Sequence, residues 1–437
     1  MTLFFANFIS LILLVALIKN YNKISIAFPL LGGLLFSVSG LIAPILWEWS
    51  RKYTGLGLLS FMSISDSQTQ TLREIFNWGA IGCAFSAGAI ALILGTSKKS
   101  LQSAAFKDFN YQTLVNDRLG AQSVFLGFST IILFAIGLGK SIFITTKYLE
   151  SNGNSLALRI VSSLVVAIIP ILMLTTRENR YAKINAILLF LIFLILLGRG
   201  SRLSTIIVVS VLASNALVKN RSLIGKFISF ILIFVTFAAG IRLNNLARSG
   251  PTGVFSVPKM IARMLNDFST NFDLYSLLGE AMASLTSWVP IVIVSIGTIK
   301  KDLVFENMNP LIGAGSNPYD YSSDGISILF PYLWTPLSTI GQMYGLGGGI
   351  LICIISFLLG SLTGASFLRR TGSRGNIALA TASTATYIFQ FLMFFQYSTR
   401  NWFRSFWVVI FLTTLQIIIT FLKPIQTTEK KPGLDIT

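Results

Sequence analysis

The chain has 437 residues, 53% hydrophobic and 11% charged, with mean hydropathy +0.74 and 34 Lys and Arg against 16 Asp and Glu. A soluble domain carries about a quarter charged residues, so this composition excludes an ordinary soluble enzyme and points to an all-α polytopic membrane protein. The +18 balance is not a nucleic-acid signal, because no basic stretch is interleaved with aromatics in a polar domain.

Apolar runs read against charges give about eleven spans. They fall near 3–18, 25–46, 75–95, 120–138, 156–176, 184–198, 203–218, 227–241, 341–368, 377–397 and 403–422. The first, MTLFFANFISLILLVALIKN, has neither a basic n-region nor a small-x-small cleavage site, so it reads as a retained helix rather than a signal peptide. The next two, FPLLGGLLFSVSGLIAPIL and NWGAIGCAFSAGAIALILG, have the length that crosses a hydrocarbon core. Cys83 and Cys353 lie inside apolar runs far apart and read as small buried side chains. Alternating strands of the outer-membrane barrel type are absent. No internal repeat is apparent, so residues 1–437 form a single integral membrane domain.

The sixth and seventh spans are joined by LLGRGSRLST. Only about 15 residues separate Lys183 from Arg199, so the helix there is roughly 23 Å long, less than a bilayer core. The turn is thus drawn towards the interface with Arg199 and Arg202 in it. Arginine at that depth needs a wet cavity or an anion. Gly200 lets the chain turn, and Ser201 can cap a helix starting at Leu203. Paired guanidinium forks beside a helix start suit phosphate; two snorkelling side chains are the alternative.

After the eighth span comes IRLNNLARSGPTG, with Arg242 and Arg248. It opens a long segment, 242–339, too long for a mere connection. That segment holds Asp267, Asp273, Glu280, Asp302, Glu306, Asp320 and Asp324. Within it, AMASLTSWVPIVIVSIG (281–297) is apolar enough to span. Charge parity instead has it lie at the membrane surface or dip in and out. Glu280 precedes this stretch, where burial would raise its pKa. Asp273 is expected about two helical turns earlier on a similar face. These two are the candidate general bases, Glu280 first. Asp320 and Asp324 fit a Ca²⁺ or sugar contact, or an ordinary polar turn. Near the C-terminus YSTRNWFRSFW places Arg400 and Arg404 four apart at another helix start.

Orientation follows from the short loops. KNYNK, residues 98–118, RENRYAK, KNRSLIGK, RRTGSRGN and the tail fall on one side with a charge of about +13, against about +5 on the other. The first side is cytosolic, with the N-terminus outside and the C-terminus inside. The arginine turns and the 242–339 segment are then outside, where a lipid pyrophosphate is the expected ligand.

At these residues the chain resembles the O-antigen and capsule repeat-unit polymerases (Wzy type) of bacterial inner membranes. STIGQMYGLGG (338–348) is similar to that family's Gly-x-x-Tyr followed by a glycine-rich helix start. LGRGSR resembles its arginine turn, and Arg242 with Gly253 fits an Arg-ten residues-Gly pattern. The resemblance implies a GT-C-like membrane fold with one long periplasmic segment. It implies a glycosyltransferase that moves a glycan from undecaprenyl pyrophosphate onto a sugar hydroxyl of a second lipid-linked repeat unit. Arg199, Arg202, Arg242, Arg248, Arg400 and Arg404 would hold pyrophosphate. Tyr319, Tyr321, Tyr332, Trp334 and Tyr344 would stack on sugar rings or anchor at the interface. The implied partners are undecaprenyl-pyrophosphate-linked oligosaccharides, membrane lipid and a chain-length regulator protein. No P-loop, nucleotide-sugar motif or metal cage is visible, so no cofactor is expected. The chain has His 0, which disfavours the related O-antigen ligases with their outer-loop histidine. A flippase for the same lipid-linked glycan is the competing reading; it would place charges inside the spans and show repeats.

Overall fold

The computed structural model describes residues 8–10, 12, 24–53, 63–96, 117–145, 153–176, 180–201, 203–209, 212, 223–248, 250–270, 273–296 and 338–370, and positions 386, 387, 390, 394, 402, 406, 410 and 414. The helices are α1 (Ile24–Ser50), α2 (Asp66–Thr96), α3 (Asp117–Leu138), α4 (Ser155–Thr175), α5 (Ala182–Gly198), α6 (Leu223–Arg248), α7 (Val257–Thr270), α8 (Leu274–Thr286), α9 (Trp288–Ser295) and α10 (Thr339–Arg370). Residues 203–209 are also helical. Apart from α7, α8 and α9, which lie in the 242–339 segment, these elements fall on the expected apolar runs between residues 25 and 368. The runs expected at 3–18, 377–397 and 403–422 lie almost wholly outside the described residues.

Local chemistry sets the helix starts. Ser65 and Gln68 form a reciprocal capping box: the Gln68 N–H donates to Ser65 Oγ (3.3 Å) and the Ser65 N–H to Gln68 Oε1 (3.0 Å). Asn154 caps α4 by accepting from the Leu156 and Ala157 N–H groups at 2.9 and 3.1 Å. α10 is interrupted at Gly347 and Gly348. Gly348 has φ +62° and ψ −159°, a conformation open essentially to glycine alone.

Among the described residues five segments are long and apolar enough to cross a membrane: Phe28–Tyr53, Asp66–Ile93, Leu119–Ile142, Tyr275–Ser295 and Thr339–Gly364. A sixth is the bent pair Leu156–Ser162 and Leu164–Met173, whose halves meet at 45°. α5, with 17 residues, is short, as expected of a helix entering the arginine turn. The described residues are almost entirely helical, and this is a multi-pass membrane protein.

Two groups of helices carry the cores. In the first, Phe36 and Trp47 of α1 pack with Leu72 and Phe76 of α2, Val289 and Val292 of α9, and Ile340 and Ile352 of α10. α2 and α10 run parallel in near-backbone contact. Gly349 backs onto the Trp78 indole, Gly82 onto the Cys353 carbonyl and Gly360 onto Ser86, so a β-carbon at Gly82 has no room. α1 is antiparallel to both, with Phe36 over Gly79 and Pro29 near Gly360. The second group packs Phe134 of α3, Val161 and Leu172 of α4, and Ile192 of α5 around one core with Ile207.

α8 joins the groups. Its Gly279 abuts the Tyr53 ring beyond α1, while Leu277 and Ala281 bury with Ala238 of α6. The end of the bundle that carries Tyr53, Ser65 and Ser338 is termed the upper end. The 275–295 segment touches it twice. Tyr275 makes edge contacts with Trp49 and Tyr53 at 5.4 and 5.6 Å. Ser295 Oγ accepts the Ser338 N–H at 2.7 Å. Between them Trp288 meets Phe76 at 5.2 Å. A helix of 21 residues that crossed would hold its ends about 30 Å apart, at opposite ends of the bundle. Length and composition alone would therefore count this segment as a crossing, but its contacts return both ends to the upper end.

Candidate functional site

The arginine turn is built as a Schellman motif. The Gly200 N–H donates to the Leu197 carbonyl and the Ser201 N–H to the Leu196 carbonyl, both at 2.9 Å. Gly200 takes the left-handed conformation this needs, φ +61°. Half-buried Arg199 is the C-cap of α5, its N–H donating to Ile195 and Leu197 carbonyls. Ser201 then opens the next helix. Its carbonyl accepts the Ser204 N–H at 3.0 Å, and its hydroxyl accepts the Leu203 N–H at 3.4 Å.

This turn is locked to two other upper-end segments. The Gly253 N–H donates to the Gly198 carbonyl at 2.8 Å. Thr252 exchanges backbone bonds with Thr145, at 2.8 and 2.9 Å, in an isolated antiparallel bridge. Gly253 sits at φ +113°, and a β-carbon there would meet the Phe143 carbonyl. Its glycine identity is thus set by backbone approach. From α6, Asn244 donates to Thr205 Oγ1 (2.8 Å) and accepts from Ser204 Oγ (3.2 Å), all three buried. The exit of α6 and the arginine turn are therefore one assembly.

Arg242 is committed to carboxylates. Nη1 lies 2.7 Å from Glu280 Oε2, and Nη2 lies 3.4 Å from Asp267 Oδ2. Asn245 Nδ2 donates to the other Glu280 oxygen at 2.7 Å. The Glu280 side chain is only 12% exposed, against 50% for Asp267. The cluster ties α6, α7 and α8 together and fixes the Glu280 carboxylate in orientation. Asp273 immediately precedes α8. It is the N-cap, accepting the Tyr275 N–H at 3.0 Å, because a short acceptor side chain outside the first turn satisfies an orphan donor. Tyr344 lies in the short stretch of α10 before its break, near the Glu74 side chain of α2.

Arg202, Arg400, Arg404, Tyr319, Tyr321, Tyr332, Trp334, Asp320 and Asp324 lie outside the described residues, as does the Arg248 side chain. Phe394 and Trp402, which flank Arg400, pack against each other at 5.6 Å. The Phe394 carbonyl accepts Ser338 Oγ at 3.5 Å, which puts Phe394 and Trp402 at the upper end too. Sequence reasoning passed over Asn244, Asn245 and the Asp267 contact. The signal was the Asn pair in an apolar helix, with Asn245 three residues from Arg242 and so on its face.

No family model matches the chain, nor does any curated protein or solved structure.

Proposed function

We propose that this protein polymerises undecaprenyl-pyrophosphate-linked repeat units into O-antigen or capsular polysaccharide at the periplasmic face of a bacterial inner membrane. The family resemblance suggests the chemistry. The supporting structural observation is the meeting of the Arg199 turn, the α6 exit with Arg242, and Phe394 and Trp402, which flank Arg400 in sequence, at one end of the bundle. In this reading the upper end is periplasmic, the chain has eleven spans with the C-terminus cytosolic, and the 275–295 segment is re-entrant or surface-lying.

The transfer breaks the bond between the donor's anomeric carbon and the pyrophosphate oxygen. It forms a glycosidic bond to the acceptor hydroxyl, whose proton passes to a base while undecaprenyl pyrophosphate leaves. Arg199 and Arg202, with Arg400 or Arg404, stabilise the leaving charge, the kind of preorganised electrostatics that lowers such barriers by several kcal/mol. Glu280 is the proposed base, oriented by Arg242 and Asn245 as a general base requires; Asp273 is second. Arg248 would join the pyrophosphate clamp, and Tyr319, Tyr332, Trp334 and Tyr344 the glycan path.

The test is the lipid-linked glycan profile of a deletion strain complemented with variants at matched expression. Single repeat units on the final carrier mean lost polymerisation, and untransported cytosolic units mean a flippase. Arg199→Ala/Arg202→Ala should abolish the polymer ladder while inserting normally. Arg202→Lys should remain impaired, because lysine keeps the charge and loses the bidentate fork. Full activity in the double variant would overturn the clamp.

A further inference from the structure

α7 leaves the α6 exit as a helix with three distinct faces. At 100° per residue, Val257 and Met260 lie on one face and are buried with Leu197 and Ala247. Lys259, Arg263 and Asn266 lie on a second, exposed and polar. Pro258, Ile261 and Leu265 lie on a third, which is apolar and yet exposed, Leu265 by 57%.

That third face continues an apolar surface already in place. Along α3, a membrane-length helix, Phe125, Phe128, Ile132 and Ile136 are exposed at helical spacing and form one apolar stripe. The stripe runs on through exposed Phe143 and Ile144. Phe143 stacks on Phe255, with centroids 5.4 Å apart and planes 25° from parallel. Phe255, 65% exposed, stands two residues before α7. One apolar band thus climbs a spanning helix, turns at the Phe143–Phe255 stack and proceeds along α7. Basic Lys259 and Arg263 flank it one turn apart.

We infer that α7 is an interfacial helix: its Pro258–Ile261–Leu265 face rests in the acyl layer of the leaflet at the upper end, and Lys259 and Arg263 reach lipid phosphates. A helix with a separate apolar face and a basic polar face sits in the interface in this way, and long basic side chains snorkel to the headgroups. The partner is the bilayer itself, so the inference holds whatever ligand the arginine turn takes. Since Asp267 on α7 also holds Arg242, the lipid surface would set the depth of that guanidinium.

The test uses the full chain reconstituted in phosphatidylethanolamine–phosphatidylglycerol vesicles. Nitroxide labels go on Ile261→Cys, Leu265→Cys, Lys259→Cys and Arg263→Cys in a Cys83→Ala/Cys353→Ala background. Collision with oxygen should exceed collision with a water-soluble nickel chelate at 261 and 265, at a depth of about 5–10 Å below the phosphates. The order should reverse at 259 and 263. A second reading, free of cysteine replacement, is Leu265→Trp in the native chain, whose added fluorescence should be quenched by lipids brominated near the headgroup and not by iodide. Nickel preference at all four positions means that α7 stands in water, and overturns the inference. Protection of 261 and 265 from both probes means that protein covers the face, and overturns it too.

Discussion

Glu280 has neither oxygen unengaged, since Arg242 takes one and Asn245 the other. That geometry serves two roles, a structural clasp and an oriented base, and substitutions separate them. Charge-assisted bonds of this kind contribute about 1.5–3 kcal/mol. Arg242→Ala and Glu280→Ala should each destabilise the detergent-solubilised protein on that scale, and their double-mutant cycle should show a coupling above about 0.5 kcal/mol. Asp267→Asn should cost under about 1 kcal/mol, because the contact is long and half-exposed. Glu280→Gln preserves the side chain's shape and most of its bonding capacity. If Glu280 is the base, this variant should lose about 10²–10⁴-fold in transfer rate with unchanged carrier affinity and a melting point near the parent's. Activity that falls only in step with melting temperature across these variants would leave Glu280 as a clasp alone. Sequence marked Glu280 and Arg242 as polar residues at a membrane boundary. It could not pair them, because 38 residues separate them and the pairing depends on where α8 docks.

At the scale of the element, Gly200, Gly253 and the Asp273 cap decide the upper-end geometry. Gly253→Ala forces a left-handed residue against the Phe143 carbonyl and should cost about 1–3 kcal/mol. Gly88→Ala, with open space around its β-carbon position, should be neutral or stabilising by up to about 1 kcal/mol. The melting temperatures of these two variants should therefore move in different directions or by clearly different amounts; equal shifts would show that the 250–256 loop is not fixed as described. Asp273→Ala should remove about 1 kcal/mol of capping from α8. The glycine turn at LLGRGSRLST was legible because Gly and Ser sit where a Schellman stop and a new helix start need them. The requirement at Gly253 was not, since it comes from a carbonyl more than a hundred residues earlier in the chain. The capping role of Asp273 was not legible for a local reason: with an acidic residue just before an apolar run, helix membership and capping look alike until the first turn is placed.

At the scale of the molecule, the hydropathy pattern located the long apolar helices among the described residues because burial in lipid imposes length on each one; amphipathic α7 carries no such signal. The pattern did not reveal the α2–α10 pairing, which depends on facing glycines on distant helices. The 275–295 segment gives the sharpest topological test. Asp273→Cys and Thr298→Cys, introduced singly without Cys83 and Cys353, should both react with an impermeant thiol reagent from the same side of the membrane. Arg400→Cys should react with them and Arg374→Cys should not. Labelling of only one of the first pair would make the segment a true crossing and put residues 374 and 400 on exchanged sides.

The parallel seam between α2 and α10 also has a consequence in time. Cys83 and Ser356 meet across that seam with 273 positions between them. At ribosomal speeds of 5–20 residues per second, roughly 15–55 s elapse between the synthesis of one wall and the other. Throughout that interval Gly82 lacks the α10 wall it will meet, and its bare backbone is open to whatever the insertion machinery offers. A nascent chain arrested before residue 339 should therefore remain attached to an insertase or chaperone and be sensitive to membrane proteases, and it should be released when α10 arrives. Quality control of this protein is in that sense a check on the arrival of α10, and a single bulky replacement at Gly82 should stall maturation as effectively as a truncation.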